Sequence, residues 1–144
     1  MPSVGSAALI EADAGEHLTF EDESYSTTTN GQHVMAAIKG GIIDATGVNL
    51  TSSGTAAAGV FADRNGTVNF SGGSVSTSGA NSVGASAYTG GTMNIGLDPA
   101  GNPTTIHTTG DNATGVLAAT GGTVNATGAN VITEGYAALS LIHI

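Results

Sequence analysis

The residues able to do chemistry are few and scattered. Histidine stands at His17, His33, His107 and His143, and no H-x-H or H-x-x-x-H pair occurs. No two imidazoles are thus spaced to share a zinc ion. Beyond residue 30 the carboxylates are Asp44, Asp63, Asp98, Asp111 and Glu134, and the cations are Lys39 and Arg64. Acid–base cleavage of a sugar chain needs a carboxylate pair, or a bound cation with a base beside it. No two of these acids fall at equivalent positions of the repeat described below. Asp63-Arg64 reads as a loop pair, Asp98 lies beside a proline, and His107 alternates with Ile106 and so points outward. There is no G-x-S-x-G turn for a serine nucleophile. The glycine pairs are not followed by the lysine of a phosphate loop, and the G-G-x-G-x-D calcium repeat is absent. No catalytic, cofactor-binding or metal-ligating residue is expected, and the chain is read as a non-enzyme. Two aromatics flank turns: Phe61 is expected in the core, whereas Tyr88 suits either a core position or an exposed sugar platform.

Six acids crowd the start: Glu11, Asp13, Glu16, Glu21, Asp22 and Glu23. Their spacing matches no EF-hand loop. They could form an acidic docking surface or a cation site, but a charge run most simply faces water. Residues 1–30 are therefore taken as an acidic segment or a degenerate coil.

The whole chain has 144 residues, a formal net charge of −9 and 2 basic residues. Such a surface repels phosphate backbones, so no nucleic-acid partner is expected. Glycine numbers 23, aromatics make up only 4%, and cysteine is absent. That excludes disulfides and thiolate metal sites. No stretch approaches the ~20 apolar residues needed to cross a bilayer as a helix. "MPSVGSAALI" lacks the basic n-region of a signal peptide.

The elements behind these residues are set by a repeat. "GTVN" begins at Gly66 and Gly122, "GTMN" at Gly91 and "GIID" at Gly41, with spacings of 25, 25 and 31 residues. The long interval holds "LDPAGNP", a surface loop with two prolines. Two residues after each glycine stand Ile43, Val68, Met93 and Val124; four after stand Ala45, Phe70, Ile95 and Ala126. Leu50, Val75, Ile106 and Val131 follow in the same register, as do a second set of glycines, Gly54, Gly79, Gly110 and Gly135. Within one unit "TVNF", "SVSTS" and "GVFA" each read as a short strand with alternating faces. Strands this short bury their apolar side only by stacking on the next copy. Stacking at ~4.8 Å yields parallel sheets wound as a β-helix. Thr67, Thr92 and Thr123 should form one outward ladder, and Asp44, Asn69, Asn94 and Asn125 another, since asparagines bond well between stacked strands.

These residues carry a resemblance. Gly59–Ala62, Gly66–Gly73, Val75–Gly79, Gly90–Asn94, Ile106–Val116 and Gly121–Asn125 together resemble the passenger repeats of bacterial autotransporters, the type V secreted proteins with pertactin-like β-helices. The resemblance covers residues 31–138. It implies an all-β, right-handed parallel β-helix, here of about four coils, with a Sec signal upstream and a C-terminal outer-membrane barrel downstream. It also implies a place on the surface of a Gram-negative bacterium or outside it, as an adhesive stalk. The partners would be a host or neighbouring-cell glycan or protein and the protein's own barrel. The alternatives are a carbohydrate-active β-helix enzyme with its site elsewhere, and a phage tail-spike-like fibre. The last six residues, "LSLIHI" (139–144), depart from the Gly-Thr-Asn idiom. They resemble the in-frame translation of a sequencing-adapter end, so the natural chain is expected to continue beyond Ala138. Read as structure alone, they would form one more strand.

Overall fold

The computed structural model describes residues 8–143. The chain winds through three short strands per turn. The first coil holds β1 (Ala8–Ala12), β2 (His17–Glu21) and β3 (Ser24–Thr27). The second holds β4 (His33–Ile38), β5 (Ile42–Thr46) and β6 (Asn49–Ser52); the third, β7 (Ala58–Asp63), β8 (Thr67–Ser71) and β9 (Ser74–Thr77). The fourth holds β10 (Val83–Ala87), β11 (Thr92–Gly96) and β12 (Thr104–Thr108); the fifth, β13 (Thr114–Ala118), β14 (Thr123–Ala126) and β15 (Ala129–Thr133). β16 (Leu139–His143) begins a further turn. Like strands stack into three parallel sheets: a first face of six strands, and second and third faces of five each. The protein is an all-β parallel solenoid.

The register explains the spacing. Val68 pairs with Ile43 below it and Met93 above it. The interval is 25 residues except across the Leu97–Pro103 loop, where Asn94 meets Asn125, 31 residues on. Inward residues form continuous stacks. Val60 and Val116 from the first face, Val68, Phe70 and Met93 from the second, and Leu50, Val75 and Ile106 from the third are all at most 1% exposed. Each such side chain contributes roughly 1.5–3 kcal/mol by leaving water.

Glycine sits where coils approach most closely. A Cβ on Gly66 would lie 2.0 Å from the Ala37 carbonyl oxygen, and one on Gly91 2.4 Å from that of Ala62. An inner glycine serves differently: a Cβ on Gly59 would lie 2.2 Å from Cγ1 of Val75 across the core, and one on Gly84 2.3 Å from Cγ2 of Ile106. Where the opposite residue is Leu50, branched one carbon further out, the place of Gly59 is taken by Val34, fully buried.

There are about five turns, not four. Residues 8–27 wind as a full coil, with Leu18 under Ile43, Phe20 under Ala45 and Tyr25 under Leu50. Their wording hides them, because larger side chains occupy the inner positions and Glu16 stands at the glycine corner. Residues 139–143 form a strand, with Leu139 paired to Thr114 in β13.

Candidate functional site

The three faces present different surfaces. On the second face the outward residues form one hydrogen-bonded chain. Asn125 Nδ2 donates to Asn94 Oδ1 (2.8 Å), Asn94 Nδ2 to Asn69 Oδ1 (2.8 Å), and Asn69 Nδ2 to Asp44 Oδ1 (2.7 Å). Asp44 Oδ2 meets His17 Nε2 at 2.6 Å. A carboxylate only accepts, so Asp44 fixes the direction of every amide above it. The bonds from Asn69 and then His17 hold the Asp44 carboxyl below its usual range. The third face is sparser, with Ser74 bonded to Asn49 at 2.8 Å and His107 Nε2 to Glu134 at 2.8 Å. His107 thus points outward, as its alternation with Ile106 required.

The first face carries no such ladder. Its central outward column reads Glu11, Ala36, Phe61, Ser86, Leu117. Phe61 was expected in the core and is not there. In β7 both neighbours of Phe61, Val60 and Ala62, are buried on the inward side, and the residue between them is turned out. The small Ala36 and Ser86 below and above it leave room for rings from adjoining positions. His33 stacks on Phe61, with centroids 4.4 Å apart and planes 18° from parallel. Tyr88 lies 5.6 Å from Phe61 on the other side, tilted by 47°. Tyr88, open in the sequence reading, therefore belongs to an outward aromatic row.

The row sits in a groove of about 410 Å³. Ala56 and Asn81 form one wall, Asp63 and Thr89 the other. His33 is fixed in an unusual way, since its Nδ1 accepts the backbone N–H of Ala58 at 2.9 Å. Burial lowers the His33 pKa, opposed in part by the Asp63 charge. Burial and then Asp63 raise that of Tyr88. Near neutral pH the site thus holds an uncharged imidazole and a protonated phenol beside the side chain of Asp63. A smaller depression adjoins it, bounded by His33, Phe61, Glu11 and Arg64. Arg64 pairs with its neighbour, Nε to Asp63 Oδ2 at 3.2 Å, as the loop-pair reading held.

The other singled-out residues lie apart from this groove. Asp98 folds its loop on itself, Oδ1 accepting the N–H groups of Ala100 (3.0 Å) and Asn102 (2.8 Å). Of the early acids, Glu11 is only 4% exposed, whereas Glu21, Asp22 and Glu23 face water. Glu23 accepts from the Tyr25 hydroxyl and pushes its pKa up to about 12. Among the described residues no three of His, Asp or Glu converge as metal ligands. The side chain of His143 lies outside the described residues.

No family model matches the chain, and neither the curated proteins nor the solved structures contain a significant match.

Proposed function

We propose that the protein is a stretch of an exported β-solenoid stalk, displayed at a bacterial surface in the manner of an autotransporter passenger, and that its work is presentation and contact rather than catalysis. The observation that supports this reading best is the polar ladder of the second face. Its amides bond from coil to coil, so the surface strengthens the rod instead of assembling a reaction centre. A rod held this way stays water-compatible on its outside without disulfides. The compact Leu97–Pro103 loop, tied by Asp98, would project from it towards a glycan or protein of a host or neighbouring cell. The stalk's own membrane partner would be a barrel encoded further along the same frame.

The test uses the natural reading frame that contains this chain, expressed in a Gram-negative host. Protease added to intact cells should remove the solenoid and leave an outer-membrane remnant. Retention inside the cell, or a frame without a barrel, overturns the reading. A frame ending in an oligomerising fibre tail would favour the tail-spike alternative instead. Stacked carboxylates in further coils would favour the enzyme.

A further inference from the structure

Ladders cover the second face, but the first face interrupts its outward column with aromatic rings and an open groove. We propose that this groove, bounded by Phe61, Tyr88, Asp63 and Asn81, binds a neutral sugar unit of a surface glycan. The inference rests on the contact reading above and names the place and the ligand class.

Four observations carry it. The groove's volume, about 410 Å³, falls within the roughly 300–1,000 Å³ of small-ligand sites. Its walls are already fixed: Ala56 N–H bonds to the Ala80 carbonyl and Asn81 N–H to that of Asp111, both at 2.9 Å. Little ordering cost then remains for binding. Its lining combines ring surface, which the C–H side of a pyranose covers, with both donors and acceptors. The Tyr88 hydroxyl stays protonated and can donate, the Asp63 carboxylate accepts, and the Asn81 amide does both. Sugar hydroxyls likewise donate and accept. Charge selects among sugars. The chain carries a net −9, Asp63 lines the groove, and the nearest cation, Arg64, is paired to it. Sialylated, sulfated and phosphorylated units are therefore disfavoured.

The test titrates the isotope-labelled 144-residue chain with lactose, cellobiose and N,N′-diacetylchitobiose, and separately with sialyllactose and a heparin disaccharide. Backbone signals of Ala58, Asn81, Ser86 and Thr89 report the groove; those of Asn69 and Asn94 report the second face. At least one neutral disaccharide should move the groove signals saturably, with the anionic ones about tenfold weaker or more. Two variants should each weaken binding by about tenfold or more while the second-face signals stay in place. Tyr88→Ala removes the ring. Ser86→Leu fills the groove with a side chain that the next coil already accepts as Leu117. Silence of the groove signals towards all neutral sugars up to about 10 mM overturns the proposal. So does tighter binding of the anionic sugars, or binding indifferent to both variants. The two readings fail separately. A chain that binds sugar but is not exported keeps the groove and loses the stalk. A displayed protein whose cell attachment ignores Ser86→Leu keeps the stalk and loses the groove.

Discussion

The first and second faces of the solenoid are built on the same 25-residue register, yet their outward columns differ in kind. On the second face the column is Asp44, Asn69, Asn94, Asn125, and each member bonds to the next. On the first it is Glu11, Ala36, Phe61, Ser86, Leu117, and no two members are alike. A repeated outward residue stabilises its neighbours along the rod, so its function is internal. A non-repeated one gains nothing from register, and its side chain is free to serve something outside. Within a repeat protein the departures from the repeat are where a ligand site is best sought, and on the first face they converge in one groove.

The strongest way to probe that contrast is through what both faces share. Gly66 forms the corner between β7 and β8, where a Cβ would lie 2.0 Å from a backbone oxygen that cannot move alone. Gly66→Ala should destabilise the fold by roughly 3 kcal/mol or more, read by denaturant unfolding, and should disturb both faces together. A shift confined to one face would break the picture of a common register.

Next comes the ladder itself. Asn94→Leu removes two coil-to-coil bonds and leaves the half-buried Asn69 Oδ1 and the exposed Asn125 Nδ2 to water. A loss of about 1 kcal/mol is expected, with groove signals unchanged. Ser86→Leu on the first face should do the reverse, affecting binding more than unfolding.

The faces should also separate by pH. The folded His33 has a lowered pKa, so the unfolded chain takes up its proton first. The cost is absent above the ordinary histidine range, grows as pH falls through about 6.5, and is complete below the folded value. Melting temperature should therefore drop between neutral and mildly acid pH, and His33→Gln should flatten that slope. Asp44 has a lowered pKa as well, but for a carboxylate the sign runs otherwise. Its contribution is intact at neutral pH and is lost only as pH falls into and below the carboxylate range. Asp44→Asn should leave the neutral-to-mildly-acid slope alone.

A smaller gain is expected inside the third face. Thr77 and Thr108 turn hydroxyls into the core, and neither oxygen has a hydrogen-bond partner. Thr77→Val keeps the shape and removes the unpaired group, so a stabilisation of about 1 kcal/mol should appear in thermal unfolding. The smallest effect concerns a groove wall. Ala56 sits at φ +53° where the next coil has Asn81 at +57°. Ala56→Asn should add a few tenths of a kcal/mol, measurable as a slight rise in melting temperature.

Much of this fold was legible because a solenoid writes its contacts as a period. Val68 and Phe70 lie inward, Asn69 outward, and Gly66 at the corner in every copy, so one unit read correctly gave the others. The first coil was less legible. Phe20, Tyr25 and Glu16 depart from the idiom, yet the backbone they adopt is the same. The groove was illegible for a related reason. His33, Phe61 and Tyr88 come from three successive coils but occupy different columns, so the 25-residue register does not bring them into line. Phe61 was assigned to the core, whereas its place between the inward Val60 and Ala62 turns it outward.

The sequence by itself determined the period, the inward stacks, the glycine corners and the polar ladders, because each of these is a demand that one coil makes on the coil beside it. Only the tertiary structure decided that His33 and Tyr88 close on Phe61 from either side, and that a groove opens between the turns of Ala56 and Thr89. Those contacts depend on how far side chains in unlike columns reach over the small Ala36 and Ser86. That reach is a matter of space between coils, which a one-dimensional register does not encode.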